Sequence, residues 1–215
     1  MPTAQDAVYR YAERVADELQ PILNIEGVTD NTQLLGAYTE AALRSLIRRT
    51  CQTMRVCRGG ILDYPQEAIR EEDIIIWAPH PAPAIFDVEG FGLVPRSSAF
   101  AVLEVKKSNY SGADVELERF VSRVETPRLA AEAKHLTAMF PTRALGVVAA
   151  LESNPSARLT QLIEKKQAVA IFDLRNGAKC AIPRNVVVLV NFLYETAWRY
   201  WNAHGAGPVG LITED

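Results

Sequence analysis

The feature that most constrains this chain is the run Ala99-Phe100-Ala101-Val102-Leu103-Glu104-Val105-Lys106, apolar at both odd and even positions until its last three residues. Successive side chains of a strand point to opposite faces, so such a run is stable only with a water-excluding layer on each side. Asp73-Ile74-Ile75-Ile76-Trp77 has the same character and predicts a second central strand. Two strands of this kind require helices above and below one sheet.

The remaining pattern supplies them. Val8, Tyr11, Ala12, Val15, Leu19 and Leu23 recur at spacings of three and four, which predicts an amphipathic helix from Asp6 to Leu23. Asp30-Asn31-Thr32 offers N-cap residues to a second helix over 33–51. Strands are predicted at 60–64, 73–77 and 99–106, with the proline-rich loop 78–83 and an extended segment at 84–87 between the last two. Ser111-Gly112-Ala113-Asp114 reads as a helix start running to about Val124, and Thr126-Pro127 as the start of a separate helix to about Phe140. A strand at 143–151, a helix at 157–166, a strand at 167–173, a turn at Asn176-Gly177, a short strand at 178–182 and a helix at 185–204 complete the prediction. Strands flanked by helices throughout give an α/β class, with a mixed sheet between helical layers.

Composition narrows the function classes. With 215 residues, 48% apolar and 23% charged, the chain is expected to form one globular domain rather than a disordered or fibrous one. The net charge of −3, from 23 basic and 26 acidic residues, gives no strong positive field, so any nucleic-acid contact must be local. The cysteines Cys51, Cys57 and Cys180 form no CxxC pair and no even set, which argues against a disulfide framework and a structural zinc site. No signal peptide is visible, and the longest apolar run, 144–151, falls far short of the roughly 20 residues of a membrane span. The expected location is cytoplasmic, without membrane association.

The chemistry concentrates where the two apolar strands turn polar. Glu104 and Lys106 are two residues apart and share one face of their strand. A carboxylate and an ammonium are costly to bury unless paired or used, so the placement asks for a metal ion or a phosphate. Asp73 opens the neighbouring apolar run, and adjacent strands would bring its carboxylate near that of Glu104. Two converging carboxylates are the hard oxygen ligands Mg²⁺ prefers, and Glu40 on the second helix is the candidate third acid. Arg44 and Arg48 follow Glu40 on the same helical stripe, and Arg49, Arg55 and Arg58 extend the densest basic patch of the chain.

Asp73, then Glu104-Val105-Lys106, preceded by a helical Glu40, resembles the D…(D/E)-x-K signature of the restriction-endonuclease-like, or PD-(D/E)XK, nuclease superfamily. The order of helix, strands and helix resembles its αβββαβ core. More narrowly, Gly36-Ala37-Tyr38-Thr39-Glu40, Glu72-Asp73-Ile74-Ile75-Ile76 and Val102-Leu103-Glu104-Val105-Lys106-Lys107-Ser108 are similar to an uncharacterised bacterial group within it. The resemblance covers residues 31–150 as a nuclease-like core, leaving 1–30 as a helical extension, 151–204 as a strand and helix elaboration and 205–215 as a loose tail. It implies a three-layer α/β/α fold and Mg²⁺-dependent phosphodiester hydrolysis, with Mn²⁺ as a substitute and DNA as the expected substrate. Asp73, Glu104 and Glu40 would hold metal, and Lys106 would orient or deprotonate the attacking water. Arg44, Arg48, Arg55, Arg58 and Lys107 would follow the nucleic-acid backbone. Glu71-Glu72 stand where relatives often carry a Pro-Gln or similar pair, which places extra acid beside the site.

Each feature also has a structural explanation. Glu40 and Arg44 pair as i and i+4 on a helix, and arginines on one stripe form an ordinary solvated face. His80, His135 and His204 lack ligand spacing, and Cys51 and Cys57 read as small buried apolar groups. Val187, Val190, Tyr194 and Trp198 recur at helical spacing, which predicts packing onto the sheet or across a homodimer interface formed by the aromatic C-terminal helix. Two further functions stay open: a nuclease fold kept as a binding or assembly module, and a hydrolase using Asp73 and Glu104 as acid and base.

Overall fold

The computed structural model describes residues 4–24, 30–62, 69–134, 141–175, 180–181 and 183–203. His135, His204, the Asn176-Gly177 turn and the tail 205–215 lie outside the described residues. Helices α1 (Ala4–Leu19), α2 (Pro21–Asn24) and α3 (Thr32–Thr50) precede strands β1 (Arg55–Leu62) and β2 (Glu71–Trp77). A hairpin of β3 (Phe86–Val88) and β4 (Phe91–Pro95) leads to β5 (Ala99–Ser108). Then come α4 (Ala113–Ala133), β6 (Arg143–Leu151), α5 (Ala157–Glu164), β7 (Ala168–Asp173), β8 (Cys180–Ala181) and α6 (Pro183–Ala203).

The described strands form one eight-stranded sheet in the order β3-β4-β1-β2-β5-β6-β7-β8. Its centre is mixed: β2 is antiparallel to β1 and β5, while β5, β6 and β7 run parallel. Both runs predicted as central strands lie in this centre, where Ile74, Ile75, Ile76 and Leu103 are completely buried. Residues of α1, α3 and α6 form one core with one face of the sheet, and α4 and α5 cover the other. The predicted three-layer α/β/α arrangement is thus the observed one.

Asn31 caps α3 by accepting the amide hydrogens of Gln33 and Leu34. The first helix is shorter than predicted because Pro21, which has no N–H to donate, starts a separate short helix. The segment 4–24 is also no appendage: Ala12, Val15, Ala16 and Leu19 belong to the main core, and α1 packs on α6.

The two helices predicted at 113–124 and 126–140 are instead one, with Pro127 inside it. An internal proline costs about 3 kcal/mol, and side-chain bonds, one of them to β6, hold the helix around it. Thr126 Oγ1 donates to the carbonyl of Ser122, and Glu125 both receives Arg128 Nε and accepts the Ala144 amide of β6 at 2.8 Å. Strand β4 has no counterpart in the sequence prediction: it lies parallel to β1, between it and the edge strand β3, with buried residues alternating, and Gly90 and Gly92 disguise its start.

Candidate active site

Glu104 and Lys106 lie near the C-terminal end of β5. Because β2 is antiparallel to β5, the start of β2 lies beside them, and the paired residues run from Trp77 with Ala99 to Ile74 with Leu103. Beyond that pair the ladder ends and the Asp73 carboxylate takes the place of a backbone acceptor: its Oδ2 receives the Val105 amide at 2.7 Å. The expected meeting of Asp73 with Glu104 is therefore made by strand pairing.

A β-bulge aims the side chains. Cys57 of β1 pairs with Ile75, whereas Gly59 pairs with Glu72, so β2 inserts one extra residue opposite Arg58. Such a bulge shifts the parity of the strand and re-aims the side chains beyond it. Glu72 consequently joins the face of Ile75 and Trp77, where Arg123 of α4 clamps both of its oxygens at 2.5 and 2.9 Å. Gly59 permits the turn with φ of 136°, and a Cβ there would overlap the carbonyl of Gly92.

Both of the extra acids expected beside the site have an arginine partner, and Glu71 still lines the cleft that holds Glu104. Glu72 is 1% exposed and neutralised by Arg123, and Glu71 is paired with Arg58. The charges that act on the Asp73 carboxyl are those of Glu104, Glu40 and Lys106. Burial, then the charge of Glu104, then that of Glu40 raise the Asp73 carboxyl from 3.8 to about 7, against the Val105 hydrogen bond and the Lys106 charge. Crowding of like charges at this level favours either a proton or a cation.

Lys106 Nζ lies 2.8 Å from Glu104 Oε1 and 2.8 Å from Glu116 Oε2. Burial alone would lower the ammonium, but its hydrogen bonds to both carboxylates outweigh this and raise it above the ordinary lysine value. This contact pair favours the charged ammonium. Tyr110 donates to the same Glu116 oxygen at 2.8 Å. Glu116 and Tyr110 are absent from the residues singled out in the sequence. The signal that could find them is topological: the helix after a buried strand returns its first turn to that strand's C-terminal end.

Glu40 reaches the site through Arg44, which donates from Nη1 to Glu40 Oε2 at 3.2 Å and to the Asp73 carbonyl at 3.0 Å. Among the described residues no three acid, histidine or cysteine side chains are drawn together as a metal-binding group. The donor set nonetheless suits Mg²⁺, which is commonly held by one or two carboxylates with water and substrate phosphate completing its shell. Asp73 and Glu104 provide that pair.

The arginines of the predicted patch each have a protein partner, and Arg49, Arg55 and Arg58 stay exposed in surface ion pairs. Arg48 donates twice to the Val56 carbonyl at 3.3 and 3.0 Å, Arg55 pairs with Asp87, Arg58 with Glu71 and Arg49 with Glu18. Lys107 is half-buried, one residue out of register with Lys106 on β5. Cys51 and Cys57 are buried, with burial raising their thiols to about 11 and about 12, which suits the apolar role expected of them. His80 is exposed. On α6 the stripe divides: Val187 and Val190 pack on the core with Leu189 and Leu193, while Tyr194 and Trp198 are 66% and 52% exposed. No described helix is long and apolar enough to cross a membrane.

No family model matches the chain, and neither does any curated protein. Among solved structures, P. aeruginosa ATCC27853 NucC in its cAAA-bound form is similar at a TM-score of 0.62 and 14% identity, over 90% of this chain and 97% of that one. E. coli MS115-1 NucC, also cAAA-bound, aligns at a TM-score of 0.49 and 11% identity, over 79% of this chain and 65% of that one. The first match spans nearly both chains and shows that this chain shares the fold of that structure, a mixed sheet between helical layers.

Proposed function

We propose that this chain is a nuclease that hydrolyses phosphodiester bonds of DNA at internal sites with the help of Mg²⁺, for which Mn²⁺ substitutes. The observation that carries it is the placement of the Asp73 and Glu104 carboxylates just beyond the last paired residues of two buried strands, with the Lys106 ammonium on Glu104. DNA is favoured over RNA by the restriction-endonuclease-like fold. Asp73 and Glu104 would hold the cation, with Glu40 as an outer acid reaching it through water. When bound, the cation polarises a phosphoryl oxygen and lowers the pKa of water.

The chain's own residues do the rest. The Val105 amide fixes the Asp73 carboxylate. Lys106, held by Glu104 and Glu116, offers permanent positive charge to the phosphate as negative charge develops there. A water oxygen bonds to phosphorus, the bond from phosphorus to the leaving sugar oxygen breaks, and protons pass from the attacking water and to the leaving oxygen through solvent. The exposed Tyr194, Trp198 and Trp201 make α6 the surface proposed for homodimer formation. A cytoplasmic location accords with this activity.

Supercoiled plasmid incubated with the protein and Mg²⁺ is expected to become nicked and then linear, and chelation of the metal to stop it. A non-catalytic assembly module is the second reading, favoured by the engagement of Glu104 with Lys106. Calorimetric titration with Mn²⁺ separates the two: heat of binding that Asp73→Asn removes supports the nuclease, and no binding supports the module.

A further inference from the structure

A cleft of about 660 Å³ opens from Glu104 toward α4, with Phe120 in its floor and Arg70, Arg119 and Arg123 among its walls. Its charges sort by partner. Arg123 is committed to the buried Glu72, Glu71 to Arg58, and Glu116 to Lys106 and Tyr110. Arg70, immediately before β2, and Arg119, in the second turn of α4, are exposed and form no ion pair among the described residues. A second cleft, of about 410 Å³ on the α3 side, holds Arg44, Arg48 and Arg58, each already bonded to protein. A phosphate there would have to displace an existing partner; Arg70 and Arg119 have no ion pair among the described residues for it to break.

We infer that the cleft between Arg70 and Arg119 is where the substrate backbone crosses the protein, with these two arginines contacting phosphates beside the one at Asp73 and Glu104. The inference rests on the nuclease reading and replaces the α3 arginines as the principal backbone track. Two arginines without an ion pair among the described residues share the cleft with Glu104 and Glu116, so a polyanion is drawn to their edge while those carboxylates oppose it elsewhere. The chemistry read is that of a phosphodiester backbone without base contacts, and the commitment is to duplex DNA.

The test is fluorescence anisotropy of a labelled DNA duplex of about 20 base pairs, long enough for several backbone contacts. It is run on the Asp73→Asn protein, which leaves the DNA uncut, across a range of salt concentrations. Adding Arg70→Ala and Arg119→Ala together is expected to weaken binding about tenfold and to flatten the slope of log K against log salt by about 1.8, or 0.9 per lost phosphate contact. Arg158→Ala, which removes an exposed partner of Glu118 on α5, is expected to change neither. An unchanged slope in the double variant, or no binding by the Asp73→Asn parent, overturns the inference. If the wild-type protein nicks plasmid while the double variant keeps the parental slope, only the cleft assignment falls; if the wild type neither binds nor cleaves, the nuclease reading falls with it. A loss seen with single-stranded RNA but not with duplex keeps the backbone site and overturns the choice of DNA.

Discussion

Asp73→Asn is expected to stabilise the metal-free protein above neutral pH while abolishing cleavage. The carboxyl is raised from 3.8 to about 7, chiefly by burial and then by the charges of Glu104 and Glu40. A raised acid binds its proton more tightly in the folded state, so its contribution to stability is intact below the unfolded value near 4 and is lost as pH rises through about 7. Each pH unit in that window changes stability by about 1.4 kcal/mol, so from pH 5 to pH 7 the wild type loses at most about 3 kcal/mol that the asparagine variant does not lose. The asparagine keeps a carbonyl oxygen for the Val105 amide and carries no charge. At roughly 2–4 °C per kcal/mol for a chain of this size, the melting advantage of Asp73→Asn should grow by about 5–10 °C between pH 5 and pH 8 in the presence of a chelator. Thermal unfolding followed by circular dichroism across that range measures it. A melting difference independent of pH, or one that shrinks as pH rises, refutes the claim that burial and the neighbouring carboxylates raise the Asp73 carboxyl. Adding Mg²⁺ should raise the wild-type melting temperature at pH 8 and leave Asp73→Asn nearly unmoved.

Arg123→Ala strands the Glu72 carboxylate, which is 1% exposed, and should cost about 3–5 kcal/mol, seen as a lower denaturation midpoint; a loss below about 1 kcal/mol contradicts a buried pair of this geometry. Gly59→Ala forces a Cβ into the Gly92 carbonyl at a positive φ and should yield little folded protein, whereas Gly36→Ala on α3, where a Cβ meets nothing, should express normally. In the native protein at pH 8 a thiol reagent should modify Cys51 and Cys57 far more slowly than in denaturant, as peptide mapping would show, because burial keeps both in the thiol form.

How much of this is legible in the sequence depends on which interactions are local. The buried strands at 73–77 and 99–106, the shared face of Glu104 and Lys106 and the fold class come from periodicity and from runs too apolar to face water. The neighbouring placement of Asp73 comes from pairing those strands. The features that escape are set by tertiary partners. One inserted residue opposite Arg58 decides that Glu72 belongs to Arg123 rather than to the metal site, and no local pattern announces it. Glu125 carries α4 across Pro127 by reaching a different strand, so the Thr126-Pro127 boundary misleads. The basic patch is visible as composition, but whether an arginine is free depends on carbonyls such as Val56 and Asp73 that come from elsewhere in the chain. Glu116 and Arg119 matter only because α4 returns its first turns to the end of β5.

The nuclease proposal is tested most directly by one comparison: cleavage of supercoiled plasmid in Mg²⁺ by the wild type, Asp73→Asn, Glu104→Gln and Lys106→Ala, each first shown to be folded by its melting curve. The expected result is nicking by the wild type that stops with a chelator, with each variant slowed at least about a hundredfold, the scale of losing one charge-stabilising group. Cleavage at equal rates by all four proteins, or by none of them, would contradict the assignment of Asp73, Glu104 and Lys106 as the hydrolytic centre.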